Sequence, residues 1–220
     1  MRPRSGSLQH VFIAYKRAHE YLLGMPSARR KGILRTSRLS PRCPKRFYST
    51  IVSWLISMAI RKITEYPAEV LGQLGQPVTK FDRELADLCA DMFDTMYDAE
   101  GVGLAAPQIG LNLRLFVMDC AGIKLIAANP EIIHTEGEQS GQEGCLSVGK
   151  VPAVVTRPMK ARLKAQDEKG EWFEREAEGY PARAFMHETD HCDGKLFIDH
   201  LPKLRREMII KRFQKEQRWK

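Results

Sequence analysis

A chain of 220 residues, 43% apolar and 28% charged, can bury a substantial core in one or two domains. The apolar run at residues 51–60, broken by two serines, is too short to cross a bilayer, and five cysteines, an odd number without framework spacing, speak against a disulfide-stapled secreted scaffold and for a reducing compartment. The formal net charge of +8 is unevenly spread: residues 1–57 hold twelve Lys or Arg against the single acid Glu20, which leaves −3 for residues 58–220.

Residues 1–57 are rich in Ser and Arg, and Arg29-Arg30-Lys31 and Pro41-Arg42-Cys43-Pro44-Lys45-Arg46 interrupt any long apolar period. They read as a basic, disordered extension preceding a domain at residues 58–220. Their near lack of acids matches an organellar transit peptide. A nucleic-acid-binding arm is a competing reading, although aromatic and basic residues do not interleave as a stacking groove requires. A start codon assigned too far upstream is the third account.

Beyond that boundary, Asp82 is placed to cap a helix reaching about Ala99, because Leu85, Leu88, Cys89, Met92, Phe93, Met96 and Tyr97 recur on one helical face; Gly101 ends it. Residues 113–118 and 124–128 read as buried strands joined by a turn at Ala121-Gly122. Met159, Ala161, Leu163 and Ala165 alternate with polar residues, and Asp167-Glu168-Lys169-Gly170 then turns the chain into a strand over residues 171–176. A helix is expected from Tyr180 or Pro181 to Cys192, stopping near Gly194, and a last one from about Pro202, where proline suits a first helical position. Helices separated by antiparallel strands make an α+β domain.

The helix over residues 180–192 carries His187-Glu188-Thr189-Asp190-His191. Two imidazoles four residues apart share a face and can aim at one metal ion, with Glu188 beside it to handle protons. Cys145, in Gln142-Glu143-Gly144-Cys145-Leu146-Ser147, is the candidate third ligand. Two imidazoles and a thiolate leave a tetrahedral ion one open position, which marks a catalytic site rather than a structural one. In Gly101-Val102-Gly103-Leu104-Ala105-Ala106-Pro107-Gln108, two glycines admit close approach of another backbone and precede an amide side chain. His134 and His200 read as ordinary core or surface histidines, Cys89, Cys120 and Cys192 as small packing residues, and Asp190 as a group that orients a histidine or caps surface.

In this order the three segments resemble the signature motifs of the peptide deformylases, metal-dependent enzymes that remove the formyl group from the N-terminal methionine of new bacterial and organellar proteins. The resemblance runs to the C-terminus from about Met58, where Met58-Ala59-Ile60-Arg61-Lys62-Ile63 is similar to the usual beginning of bacterial members. It implies a central metal-binding helix packed against small antiparallel sheets, and N-formylmethionyl nascent peptides as substrate. One divalent ion would sit on Cys145, His187 and His191, ferrous iron in the cell, with zinc, nickel or cobalt also suiting these donors. Glu188 would act as general acid and base. The Gln108 side-chain amide and the Leu146 backbone N–H would donate to the formyl oxygen. The peptide would lie extended between Val102-Gly103 and Gly141-Gln142-Glu143, its methionine in a pocket around Val102, Tyr180, Arg183, Ala184 and His187. The chain departs from the family pattern at Met186 (usually Gln), at Cys192 (usually Leu) and at Val148-Gly149-Lys150-Val151, which lacks a common proline.

Two other functions compete: a zinc endopeptidase built on the same histidine pair, and a non-catalytic ribosome-binding protein that keeps the scaffold, which intact Glu188 and Gln108 oppose. Residues 203–220 carry +6, against −9 for residues 58–202. Leu204, Met208, Ile209 and Phe213 share a helical face expected to dock on the domain. Arg205, Arg206, Lys211, Arg212, Lys215 and Arg218 then point outward, as a solvated face or as a surface for ribosomal RNA. The expected compartment is the bacterial cytoplasm, or an organelle if residues 1–57 are a leader, with no membrane association.

Overall fold

The computed structural model describes residues 60–149 and 151–218; the expectations for residues 1–57 and for a start at Met58 lie outside the described residues. No helix among the described residues is long and apolar enough to cross a membrane.

Helix α1, Arg83–Asp98, starts where its sequence signal placed it: extended Asp82 accepts hydrogen bonds from the Glu84 and Leu85 N–H groups at 3.0 and 3.2 Å. It also ends where expected, at Asp98 with Ala99 as its cap, but the left-handed residue of the stop is not Gly101. Glu100 takes the left-handed conformation, with φ 57°, and the Gly101 N–H returns to the Met96 carbonyl at 2.8 Å. Gly101 is needed instead for closeness, since a Cβ there would stand 3.2 Å from the Leu146 side chain.

A five-stranded antiparallel sheet follows, in the order β1-β2-β3-β6-β7: β1 Gly103–Ala105, β2 Leu115–Cys120, β3 Ile123–Glu136, β6 Lys160–Gln166 and β7 Trp172–Glu178. Ala121 and Gly122, with φ 48° and 82°, form the tight turn between β2 and β3. Strand β3 outruns its expected end at residue 128. Asn129, at φ 53°, lets the strand slip register, and its amide bonds to the backbone of Val78 and to Gln166. The Asn129-Pro130 pair, a breaker when read locally, is thus a bulge within one strand. The expected β6–β7 hairpin forms, pairing Leu163 with Arg175, and Asp167 accepts from the Lys169 and Glu171 N–H groups in its turn. A separate two-stranded sheet, β4 Gln139–Glu143 with β5 Ala153–Arg157, fits the small antiparallel sheets that the resemblance implies, although neither strand was read from the local pattern.

Helix α2, Tyr180–Cys192, is the center of the fold. Its Ala184, Phe185 and Cys192 pack with Phe116 and Met118 of β2 and with Leu163 and Ala165 of β6. Leu115 and Val117 face the other way, onto Cys89, Met92 and Met96 of α1. Strand β2 is therefore buried on both faces, which is why it reads as a continuous apolar run. Cys192 is fully buried, and burial pushes its thiol up to about 12, consistent with packing and not metal binding.

Helix α3, Lys203–Gln217, begins one residue after Pro202. Only half of its expected apolar face docks: Ile209 and Phe213 are buried, while Leu204 and Met208 are 71% and 62% exposed. Phe213 fills the space beside Gly149, where a Cβ would come within 2.9 Å of the ring.

The end of α2 rests on residues 72–75. Gly194 has φ 70°, and a Cβ there would lie 2.7 Å from the Gln73 carbonyl carbon, while the Gly75 N–H bonds to the Cys192 carbonyl at 2.9 Å. Gly194→Ala is expected to cost about 1–2 kcal/mol from the backbone conformation alone, with the clash adding to it. Urea unfolding measures this; an unchanged midpoint would show that the end of α2 relaxes freely.

Candidate metal centre and active site

The first turn of α2 is set by Pro181 near its start, and the helical repeat then brings His187 and His191 to one side. Facing them is Cys145, at the point where β4 gives way to the 3-10 turn Leu146–Val148. Cys145 Sγ lies 3.3 Å from His191 Nε2, and the donor atoms of Cys145, His187 and His191 all lie within 4.8 Å of one another. Bonds of about 2.0–2.3 Å to a tetrahedral ion put neighbouring donors roughly 3.3–3.8 Å apart, so the triad fits a small divalent ion with minor adjustment. Burial would raise the Cys145 thiol, but the His191 and His187 imidazoles outweigh it and hold the group well below its usual value. That favours the thiolate that a metal requires.

His187 is aimed from behind. Its Nδ1 stands 3.1 Å from Glu143 Oε2, which leaves Nε2 for the centre. Glu143 in turn accepts from Arg157 Nε and Nη2 at 2.9 and 3.0 Å and from Arg183 Nη1 at 2.6 Å. Burial would raise its carboxyl, but His187 and Arg157 hold it well below the usual range. Arg157 also donates to Asp190 at 2.6 Å, and Asp190 lies 2.7 Å from His200 Nε2. Two carboxylates and two guanidiniums thus neutralise one another beneath the cleft.

Glu188 is 4% exposed, its Oε2 has no partner among the described residues, and burial raises its carboxyl against the pull of both imidazoles. Gly103 makes this possible, since a Cβ there would overlap the carboxylate. The Gln108 amide is fixed in orientation: Oε1 accepts from the Ala105 N–H at 2.8 Å, which turns Nε2 toward Cys145 Sγ and Ser147 Oγ at 3.5 and 3.4 Å.

These groups open into a cleft of about 300 Å³, lined among others by Val102, Gly103, Gln108, Gln142, Glu143, Cys145, Leu146, Tyr180, Arg183, Ala184, His187 and Glu188. His191 and Gly141 are not on its wall. A Cβ at Gly141 would stand 3.3 Å from Arg183 Nη2, so Gly141 makes room for that guanidinium. The side chains of Glu143 and Arg183, expected around the peptide, are 5% and 3% exposed and bonded to protein: Arg183 donates to Glu143 and to the Val155 and Gln139 carbonyls. They build the wall from within. Arg157 was missed, and its signal lay in β5, where the buried positions alternate as Val155 and Arg157: a guanidinium in the phase of a core strand needs a buried carboxylate. Exposed Glu100, which also lines the cleft, was missed too. Asp190 orients a histidine as expected, but His200 and not a ligand.

A family model described as polypeptide deformylase matches residues 60–207. The peptide deformylase of Acidobacterium capsulatum is 48% identical over 166 residues, spanning 73% of this chain and 98% of that protein. That of Clostridium botulinum is 49% identical over 146 residues, 66% of this chain and 99% of its own. Among solved structures, a peptide deformylase from Legionella pneumophila superposes with a TM-score of 0.71 at 48% identity, covering 73% of this chain and 97% of that one. One from Synechococcus elongatus in complex with actinonin gives 0.67 at 36% identity, covering 70% and 86%.

Replacing Glu143 by Gln keeps the shape and removes the charge that fixes His187. Metal affinity is expected to fall about 10- to 100-fold, the usual cost of losing such support for a ligand, as read by competition with a chromophoric chelator. Unchanged affinity would show that His187 holds its orientation without the carboxylate.

Proposed function

The chain belongs to the polypeptide deformylase family, and on that premise we propose how its residues divide the family's reaction. That reaction is metal-dependent removal of the N-formyl group from newly synthesised polypeptides, with release of formate. The observation that carries the assignment is that the Cys145, His187 and His191 donors lie within 4.8 Å of one another beside a cleft lined by Cys145, His187, the Glu188 carboxylate and the Gln108 amide.

Cys145, His187 and His191 would hold the divalent ion, which when bound supplies a Lewis acid able to bring the pKa of water to about 7. Ferrous iron is our choice for the cell, with zinc, nickel or cobalt as substitutes for the same donors. Glu188 takes a proton from the attacking water as the new C–O bond forms, then delivers it to the amine nitrogen as the C–N bond breaks. Its burial and unpartnered Oε2 suit both transfers. Charge growing on the formyl oxygen is met by the Gln108 Nε2–H and the Leu146 N–H. The peptide lies extended between Val102-Gly103 and Gly141-Gln142-Glu143, contacting backbone there, and the methionine side chain enters beside Val102, Tyr180, Ala184 and His187. Arg183 acts on this pocket through the wall it braces.

An endopeptidase on the same helix is less well supported: its third ligand would be a downstream Glu or His, and the cluster among the described residues closes on the upstream Cys145. Bacterial relatives favour the bacterial cytoplasm as the compartment; if residues 1–57 are a cleaved leader, it is an organelle. Arg205, Arg206, Lys211, Arg212 and Lys215 on α3, and Arg218 just after it, are all exposed, which supports contact with ribosomal RNA where nascent chains emerge.

Glu188→Ala is expected to keep its metal and lose at least ~10²-fold in turnover, and Gln108→Ala about 10²- to 10³-fold, both followed as formate released from a formylmethionyl peptide. Near-normal rates in either metal-loaded variant would contradict the role assigned to it, and internal cleavage of an unformylated peptide would revive the endopeptidase. Reversing the charges at Arg205, Lys211 and Lys215 should abolish co-sedimentation with ribosomes at low salt and spare hydrolysis of the short peptide. Equal ribosome binding would eliminate the docking role alone.

A further inference from the structure

The two proposed oxyanion donors come from segments far apart in sequence, and a third segment ties them together. The Thr64 N–H donates to the Gln108 carbonyl at 2.7 Å, and two residues later the Tyr66 N–H donates to the Ser147 carbonyl at 2.8 Å. Neither Gln108 nor Ser147 sits in a strand of either sheet: one lies in the 3-10 turn Ala106–Ile109 and the other in Leu146–Val148. Short 3-10 turns have few internal bonds to hold them. Beyond the long side-chain contacts of Gln108 Nε2 with Cys145 Sγ and Ser147 Oγ, the span between Gln108 and the Leu146–Ser147 backbone therefore depends on what bridges them.

The bridging segment is itself anchored at both ends. Arg61 donates its N–H to Thr95 Oγ1 at 2.9 Å and its guanidinium to Asp91 at 3.0 and 2.7 Å, both on α1. Gln217, at the end of α3, donates to Glu65 at 2.7 Å, and Tyr66 packs against the apolar cluster that contains Cys145 and Val148. No side chain of residues 61–66 lines the cleft. The segment has fixed ends and two donors aimed at the carbonyls of two active-site turns.

We propose that residues 61–66 form a strap that positions the groups receiving the formyl oxygen, with Thr64 and Tyr66 acting as positioning residues through their backbone N–H groups. The strap fixes the distance between the Gln108 amide and the Leu146 N–H. The inference rests on the oxyanion roles given to those two groups. Stabilisation of a developing charge depends on donors held in place before the reaction begins, and a displacement of about 1 Å can cost as much as 10²-fold. Substrate and metal binding use other contacts, so loosening the strap acts on kcat.

The test is a double-mutant cycle on the metal-loaded, full-length protein. Thr64→Pro removes one N–H donor, and Arg61→Ala removes the guanidinium half of the anchor, its bonds to Asp91, while leaving the backbone bond to Thr95 and both donors in place. Thr64→Pro is expected to lower kcat about 10-fold with KM and metal content within twofold, and Arg61→Ala to do the same to a smaller degree, about 3-fold. In a Gln108→Ala background each should cost less than about twofold, because the separation they set no longer has a donor at its Gln108 end. Equal losses in both backgrounds would show that the segment gives only general support and would overturn the strap. Unchanged kcat in a folded Thr64→Pro protein would overturn it as well; if that variant does not fold, Arg61→Ala carries the same cycle. A Gln108→Ala protein with normal kcat would instead contradict the oxyanion assignment beneath the proposal, and that result is read with the strap intact.

Discussion

One buried carboxylate organises this active site. Glu143 is surrounded by Arg157, Arg183 and His187, which come from two parts of the framework: Arg157 ends β5, while Arg183 and His187 lie one turn apart on α2. A charge this deep is tolerable only when it is fully bonded, and removing one member of such a group typically costs ~3–5 kcal/mol because the partners are left uncompensated. The small β4–β5 sheet is thereby locked to α2, and Cys145, two residues beyond Glu143, is held opposite the two histidines. The distance between a cysteine on one element and a histidine pair on another is thus fixed from beneath the site.

Glycine serves the same end from the other side. At Gly103 the absence of a side chain lets the Glu188 carboxylate approach the strand that would bind the peptide, and at Gly149 it lets Phe213 of α3 close the back of the cysteine turn. The charges and the close contacts therefore work together. Charged groups that would be costly alone are balanced against one another, and Glu188, the carboxylate with a buried oxygen that has no hydrogen-bond partner among the described residues, is the one proposed to move protons.

Much of this was legible in the sequence because it depends on local period. The spacing of His187 and His191 marked their common face, Asp82 the start of α1, and the alternation around Leu163 with the turn after it the β6–β7 hairpin. What escaped was decided by tertiary context. Asn129-Pro130 reads as a strand end, yet Val78 and Gln166 satisfy its amide and the strand continues. Glu143 and Arg183 stand where a substrate contact was expected, but an inward-facing ion pair is indistinguishable from an outward-facing one until both partners are placed. Leu204 and Met208 have helical spacing with Ile209 and Phe213, yet the neighbouring surface covers only two of the four. The separation of two 3-10 turns by a strap from a third segment has no sequence period.

The account stands or falls on one sulfur and two imidazoles sharing a single ion. X-ray absorption at the edge of the metal in the anaerobically loaded protein measures this directly. The account predicts one sulfur neighbour at about 2.3 Å and two nitrogen neighbours at about 2.0–2.1 Å, together with a light oxygen neighbour at the open position. A first shell of nitrogen and oxygen alone, with no sulfur, would contradict it.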